Sequence, residues 1–274
     1  MAIISLTSIP PRFAGLPDVL GSLCAQTAAI DEIRLYIPKR YRRFSGGCAD
    51  LPDLPKPVQI IEVAEDLGPA SKLLYCADHE RGSDTPIVFC DDDRRYHPNW
   101  AQKLLAAHRT HPKACVATHG LHIADRSAPV HPQPRARFRR EWADVRYRGV
   151  RLCQKLQEGR LHPRQTKPLR RPVKTSGFAD VFFGYGGAVV TSAAVDRDVF
   201  EIPDALWMVD DYWLSGHFAR KGVPIWLPQN LSEPTALPQA QIDPLMTAVF
   251  DGATRQMSNA QAVAYFQSAY GVWT

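Results

Sequence analysis

Strand-like apolar segments alternate with amphipathic segments along the first 120 residues of the chain. Short apolar or alternating runs predict strands at residues 3–6, 32–38, 58–64, 86–90 and 114–120. Apolar residues recur at helical spacing over residues 16–26, 68–80 and 97–111, and Pro69 and Pro98 stand near the first turn of two of these predicted helices. This alternation predicts an α/β fold whose mostly parallel central sheet carries helices on both faces.

The alternation breaks between residues 121 and 176, which are polar, basic and proline-containing, with one helix-like piece at 139–158. Apolar residues return at 178–195 around a glycine-rich centre. They continue through a predicted helix in the second half of 206–223, a strand at 224–228 and a helix near 259–271. We therefore expect one continuous domain in three segments: 1–120, the insertion 121–176, and 177–274.

Composition narrows the class of protein. The 274 residues are 45% hydrophobic and 22% charged, as in globular domains, and no apolar run reaches the length of a membrane-spanning helix. No signal-peptide pattern stands at the N-terminus, and six scattered cysteines favour reduced thiols over disulfides or zinc. We expect a cytoplasmic protein.

Positive charge is concentrated in residues 135–174. This stretch holds fourteen Lys and Arg against three Asp and Glu, a net charge of +11, so the rest of the chain carries −6 of the total +5. Such a block predicts an anionic partner: phosphate, nucleic acid or an acidic membrane surface. The alternative is a solvated loop.

Three successive aspartates, Asp91, Asp92 and Asp93, follow the apolar run 87–90. Their mutual repulsion must be offset by cations or screened by water. Mg²⁺ and Mn²⁺ prefer oxygen ligands, and open α/β sheets bind ligands beyond the carboxyl ends of their strands. Asp91 and Asp93 are therefore candidate metal ligands, direct or through water, while Asp92 would point elsewhere or toward a ribose. A solvated turn or a helix cap is the alternative.

Six stretches, in their order along the chain, resemble bacterial glycosyltransferases of the GT-A fold, with family 2 glycosyltransferases and their relatives as the nearest comparison. The stretches are ISLTSIPPRF, LGSLCAQT, EDLGPASKLLYC, IVFCDDDRRYHPNW, FFGYGGAVV and VDDYWLSGHFARKG. The resemblance covers residues 1–120 and 177–230. It implies a Rossmann-like GT-A domain with a nucleotide-sugar-binding half at 1–120, a basic insertion at 121–176, and an acceptor-binding, catalytic half at 177–274.

The resemblance implies a metal-dependent transfer of a sugar from a nucleotide-diphosphate sugar, with a UDP-sugar favoured, to an acceptor hydroxyl. Asp93 is the implied first ligand of Mn²⁺ or Mg²⁺ and Asp91 the second. Asp66 would contact the base and Lys72 the diphosphate. The implied donor-binding residues are Thr7, Ser8, Pro10, Arg12, Asp66, Lys72, Asp91 and Asp92. A plain strand-to-helix turn at 7–12 and a solvated lysine are the alternatives.

The same resemblance makes Asp211 the base that deprotonates the acceptor hydroxyl, in an inverting reaction. The implied acceptor-binding residues are Gly186, Gly187, Trp207, Asp210 and Trp213. His217 is the candidate further metal ligand, because enzymes of this fold often take a histidine from the C-terminal region and none follows residue 217. The alternatives are a helix N-cap for the acidic pair, a bulged strand for the glycines, core packing for the aromatic residues and a surface or buried position for His217.

The acceptor would be a surface polysaccharide, a lipopolysaccharide or a lipid-linked saccharide, and residues 135–174 would contact an anionic inner membrane face. Two other functions stay open. A sugar-phosphate nucleotidyltransferase would need a glycine-rich loop after the first strand, which TSIPPRF lacks. A nucleic-acid-binding protein would act through residues 135–174 and bind with steep salt dependence.

Overall fold

The computed structural model describes residues 2–123, 134–139, 144–157, 169–244, 249–250 and 252–274. The strands in these ranges are β1 (Ile3–Thr7), β2 (Glu32–Pro38), β3 (Val58–Val63), β4 (Ile87–Phe89), β5 (Arg94–Arg95), β6 (Cys115–Ala117), β7 (Gly120–Leu121), β8 (Arg137–Phe138), β9 (Val173–Thr175), β10 (Gly177–Ala179), β11 (Val181–Phe182), β12 (Ala188–Val190), β13 (Ile225–Leu227), β14 (Thr235–Ala236), β15 (Val249–Phe250) and β16 (Ala253–Thr254). The α-helices are α1 (Leu16–Cys24), α2 (Ser71–His79), α3 (Trp100–Thr110), α4 (Val145–Gln157), α5 (Asp210–Lys221) and α6 (Arg255–Tyr270).

Eight of these strands form the central sheet, in the order β10-β13-β6-β12-β4-β1-β2-β3. Strand β1 pairs in parallel with both β2 and β4, and β13 pairs in parallel with β6. Only β12 and β10 run against the other six strands. The predicted mostly parallel α/β sheet is therefore confirmed, and the fold is that of a GT-A, Rossmann-like domain.

Strand β12 lies between β4 and β6, although residues 188–190 are about 70 positions or more from either partner in sequence. It pairs antiparallel with both neighbours. A strand from the last segment thus fills the middle of a sheet otherwise built largely from the first 120 residues.

Two hydrophobic layers cover the sheet, one on each face. Alternate residues of β1 separate the layers: Ile3 packs with α2, α5 and α6, whereas Ile4 packs with α1 and α3. This follows from the two-residue period of a strand, and it confirms helices on both faces. Helix α1 buries Leu16, Val19 and Leu20 at the helical spacing that predicted it.

The helices begin and end a few residues from their predicted limits. Helix α3 begins at Trp100 rather than 97, and Pro69 lies in a 3₁₀ turn that precedes α2. The helix predicted at 139–158 is described from Val145 to Gln157, while 140–143 lie outside the described residues. Helix α6 begins at Arg255, where Thr254 accepts a capping hydrogen bond from Met257 N at 3.4 Å. None of the described helices is long and apolar enough to cross a bilayer.

The glycine-rich segment approaches protein side chains closely. Gly187 has φ +81°, and a Cβ there would lie 2.1 Å from the Trp100 ring. Gly186 offers its carbonyl to Trp100 Nε1 at 2.9 Å and to Thr118 Oγ1 at 2.7 Å. Both glycines are buried and their close contacts are with Trp100 and Thr118, so the acceptor-binding role of Gly186 and Gly187 stays a prediction.

Gly187→Ala is expected to lower the free energy of unfolding by about 2–4 kcal/mol, because the new methyl group meets Trp100 and the positive φ disfavours an L side chain. Urea unfolding followed by circular dichroism measures the change. Gly21→Ala in α1 is the matched control, since nothing lies within 4 Å of its Cβ position, and it should leave stability unchanged or raise it by up to about 1 kcal/mol. An unchanged midpoint for Gly187→Ala would contradict this packing.

Candidate active site

Lys72 joins the end of β4 to the beginning of α5. Its Nζ lies 2.5 Å from Asp91 Oδ1 and 2.8 Å from Asp210 Oδ2, and only 3% of its side chain is exposed. Burial alone would lower the pKa of Lys72, but the charges of Asp210, Asp91 and Asp211 outweigh it and raise that pKa well above its ordinary value. A buried ammonium group therefore holds together carboxylates from two distant parts of the sequence.

Asp91 is fixed at its backbone by Tyr96, whose hydroxyl accepts from Asp91 N at 3.1 Å and donates to Asp91 O at 3.0 Å. Burial by itself would raise the pKa of the Asp91 carboxyl, but the ion pair with Lys72 dominates, with help from Arg94 and Arg12, and the net pKa is lowered. Asp91 is thus held ionised at the wall of a cleft.

Asp92 holds the loop after β1 against the aspartates. Ser8 Oγ donates to its Oδ2 at 2.5 Å, and Arg12 Nη1 lies 2.8 Å from its Oδ1. Arg12 also lies 3.3 Å from Asp93 Oδ2, so one buried guanidinium offsets part of the repulsion in the triplet. Both carboxylate oxygens of Asp92 therefore have protein partners, and its contact with a ribose stays a prediction.

Asp93 keeps one carboxylate oxygen without a hydrogen bond. Its Oδ1 is buried and lies 3.0 Å from Arg94 Nε as an ion pair, outside hydrogen-bond geometry. Burial, followed by repulsion from Asp91, raises the pKa of Asp93 to about 6. This oxygen is therefore a buried acceptor that a ligand would satisfy.

Asp211 accepts a hydrogen bond from Gly184 N at 2.8 Å and lies 3.8 Å from Arg255 Nη2. Burial, followed by repulsion from Asp210, raises the pKa of Asp211 to about 7. The alternative of a helix N-cap does not hold, because α5 begins at Asp210 after Val209 and has no side-chain capping bond. Asp211 is thus a buried carboxyl group whose charge changes near neutral pH.

A cleft opens beside Asp91 and Asp92, whereas Asp93, Asp210 and Asp211 are not among its lining residues. Every predicted donor-binding residue except Pro10 lines it, while Pro10 begins the 3₁₀ helix that follows β1. The predicted donor residues in its wall are Thr7, Ser8, Arg12, Asp66, Lys72, Asp91 and Asp92.

Trp207 also lines this cleft, although it was predicted to bind the acceptor. Its Nε1 donates to Asp66 O at 2.9 Å. The Asp66 carboxylate accepts from Arg42 N and from Gly68 N, each at 2.9 Å, and burial raises its pKa. Trp207 and Asp66 therefore form one wall, on the side predicted for the donor.

Two predicted site residues lie in the core between α5 and α6. Trp213 is 1% exposed, and its Nε1 donates to Val199 O at 2.8 Å, which is the core packing named as its alternative; its contact with an acceptor stays a prediction. His217 packs on Trp213 and Phe266, and burial, followed by repulsion from Arg220, lowers its pKa to about 4. His217 thus has the buried position named as its alternative, six residues along α5 from Asp211 and turned away from it, and its role as a metal ligand stays a prediction.

Sequence reasoning missed several residues of the site. Arg255 reaches Asp211 from α6, and Asp243 reaches the cleft through an ion pair of 2.9 Å with Arg43. Gly184 is constrained by the site itself, since a Cβ there would lie 2.5 Å from Lys72 Nζ and 2.9 Å from Asp211 Oδ1. Only the glycine carried a local signal, because the other contacts join residues far apart in sequence.

The combination of a mostly parallel sheet, an aspartate triplet at the end of β4 and a second acidic pair at the start of α5 is that of a GT-A glycosyltransferase. Comparison with known families agrees: the model of glycosyl transferase family 2 matches residues 13–190, more than half of the chain. The chain belongs to this family. Family membership favours sugar transfer over the nucleotidyltransferase and nucleic-acid-binding alternatives. No curated protein sequence matches the chain.

The solved structures that match the chain share few identical residues with it. A mycobacterial protein has a TM-score of 0.41 and 14% identity, with 99% of this chain and 74% of its own covered. The structure of S. aureus TarS 1–349 in complex with UDP has a TM-score of 0.45 and 10% identity, and the match covers 98% of this chain and 72% of the TarS chain. A second S. aureus TarS structure has a TM-score of 0.45 and 11% identity, and the match covers 97% of this chain and 43% of the TarS chain. The function therefore rests on the family and on the site.

Lys72→Met is expected to lower the free energy of unfolding by about 3–5 kcal/mol, because it leaves buried carboxylates without their cation. Adding Asp210→Asn should recover part of this loss, since one of the stranded charges is removed. Urea unfolding measures both, with exposed Lys113→Met expected to change stability by less than about 0.5 kcal/mol. Equal stability of Lys72→Met and wild type would show that the ion pairs are not needed.

Proposed function

We propose that the chain transfers a sugar from a nucleoside diphosphate sugar to a hydroxyl group of a saccharide or lipid-linked saccharide, with a divalent cation and with inversion at the anomeric carbon. The observation that carries this proposal is the gathering of Asp91, Asp210 and Asp211 around Lys72, since Lys72 and Asp91 line the cleft and the other two are buried behind them. One carboxylate there is held ionised, and another changes charge near neutral pH.

The donor would lie in the cleft with its base near Asp66 and Trp207. Uracil has a ring N–H that can donate a hydrogen bond to the Asp66 carboxylate in the cleft wall, so we propose a UDP-sugar. Lys72 and Arg12 would approach the diphosphate from the same wall. Both are already engaged by carboxylates, so the donor would share these cations rather than meet free ones.

Asp91 and Asp93 suit a hard divalent cation, although the described residues contain no group of three or more His, Cys, Asp or Glu arranged to hold one. Mg²⁺ and Mn²⁺ commonly take one or two carboxylates and complete their shell with substrate phosphates and water. The unsatisfied buried Oδ1 of Asp93 and the ionised Asp91 supply such carboxylates. A bound cation would neutralise the negative charge of the departing diphosphate.

Asp211 would accept the proton of the attacking hydroxyl. An alcohol is a weak nucleophile, so a base with a pKa near the working pH assists its attack on the anomeric carbon. Gly184 N fixes one oxygen of Asp211, and direct displacement by the activated hydroxyl inverts the configuration. Asp210, paired with Lys72, lies next to Asp211 and helps keep the pKa of Asp211 raised.

Asp211→Asn is expected to lower kcat by about 10²–10⁴-fold with little change in KM, since an amide cannot accept the proton. In the wild type, kcat should fall as pH drops below about 7, because the carboxyl group whose pKa is raised to about 7 becomes protonated and can no longer act as a base. Steady-state kinetics across pH test both statements, with a substitution at an exposed position of α1, Asp18→Asn, as the control. NMR of the product determines its anomeric configuration. Full kcat in Asp211→Asn would refute the assignment, and a retained anomer would refute inversion.

A panel of nucleotide sugars with Mn²⁺ tests the proposal as a whole, and EDTA should abolish transfer. Asp93→Ala is expected to weaken Mn²⁺ binding in the presence of UDP by about tenfold or more in calorimetry, because the unsatisfied carboxylate is lost. Exposed Asp53→Ala is the control and should bind as wild type does. No turnover of any donor would end the proposal. Full transfer in EDTA, together with wild-type Mn²⁺ binding by Asp93→Ala, would show that the reaction needs no metal.

A further inference from the structure

Helix α4 exposes a row of large apolar side chains. Val145 is 79% exposed, Leu152 58% and Leu156 73%. These positions are seven and four residues apart, so they lie on one face of the helix. Exposed apolar residues are usually scattered singly over a protein surface, whereas these three form a stripe.

Gly149 shows independently that this face packs against nothing in the described part of the chain. It lies one turn after Val145 on the same face, and no atom lies within 4 Å of the position of an added Cβ. On another side of the helix, Tyr147 is only 7% exposed. The helix is therefore anchored to the protein by one side and open on the other.

The charge of the helix is entirely positive. Its thirteen residues include four that are basic and none that is acidic: Arg146, Arg148, Arg151 and Lys155. An apolar stripe on a basic helix is the pattern of helices that lie in the interface of an anionic bilayer, with apolar side chains among the acyl chains and cations at the headgroups.

We propose that α4 docks the protein on the surface of an anionic lipid bilayer. Nucleic acid or another polyanion would engage the arginines but leave Leu152 and Leu156 in water, so it accounts for the charge and not for the stripe. A bilayer accounts for both, since burying apolar area and attracting cations act together there.

A series of contacts links the strands that flank α4 in sequence to the active site. Strands β8 and β9, which precede and follow α4 in sequence, pair with each other, and Arg170 donates to Arg139 O at 2.5 Å next to them. Arg170 also pairs with Glu233 at 3.5 Å, and Glu233 accepts from the Tyr185 hydroxyl at 2.7 Å. Tyr185 belongs to the glycine-rich segment beside Asp211. A lipid-linked acceptor would therefore reach Asp211 past Tyr185, from the side of β8 and β9.

Flotation of the full chain with phosphatidylcholine vesicles, with and without about 30 mol % phosphatidylglycerol, tests this proposal. Wild type is expected to float with the anionic vesicles and not with the neutral ones. Leu152→Ser with Leu156→Ser should weaken binding by about tenfold or more, and Arg148→Gln with Arg151→Gln by about tenfold, because each pair removes one of the two contributions.

Two matched pairs of exposed residues serve as controls: Ile60→Ser with Met257→Ser, and Lys39→Gln with Lys56→Gln. Both should float as wild type does, and thermal melts establish that every variant is folded. No binding to anionic vesicles overturns the proposal. Vesicle binding that Leu152→Ser with Leu156→Ser leaves unchanged also overturns it, because adsorption would then be electrostatic only. In that case, single-stranded DNA bound equally tightly by wild type and by the leucine variant would identify a polyanion site instead.

Discussion

The buried charges around Lys72 constrain the whole site. A carboxylate taken out of water alone costs several kcal/mol, yet Asp210 and Asp211 are buried close to Asp91, which lies in the wall of the cleft. They are tolerated because Lys72 stands between them and Arg12 stands beside Asp92 and Asp93. The cations and carboxylates are therefore a single set, and the positions of α2, β4 and α5 follow from the need to bring that set together.

The same set separates the pKa values of its members. Asp91, in contact with Lys72, is pushed toward ionisation, whereas Asp211 is pushed toward protonation by burial and by Asp210. In the proposed reaction, these chemically identical groups would have different tasks, one to bind a cation and the other to accept a proton. The difference arises from neighbours and not from residue type.

Local patterns predicted the elements of the sheet and the position of the aspartate triplet, because strand and helix periods depend on neighbouring residues alone. They could not separate site from core among Trp207, Trp213 and His217, since all three stand near the acidic pair in sequence. The tertiary structure separates them, because Trp213 and His217 pack against α6, whereas Trp207 donates a hydrogen bond to Asp66 in the cleft wall. Arg255 carried no signal because its partner Asp211 is 44 positions away.

The position of β12 sets an order of assembly. Strands β1 to β4 lie within the first 90 residues and can pair as soon as these are synthesised. Strands β4 and β6 are connected in the sheet by β12, which is synthesised only when translation reaches residue 190. Until then β4 and β6 are open edges, able to pair with other chains. Pairings of such long range also slow folding. The strand that bears the aspartate triplet is thus completed late, and the nascent chain must wait for its last third before the cleft can form.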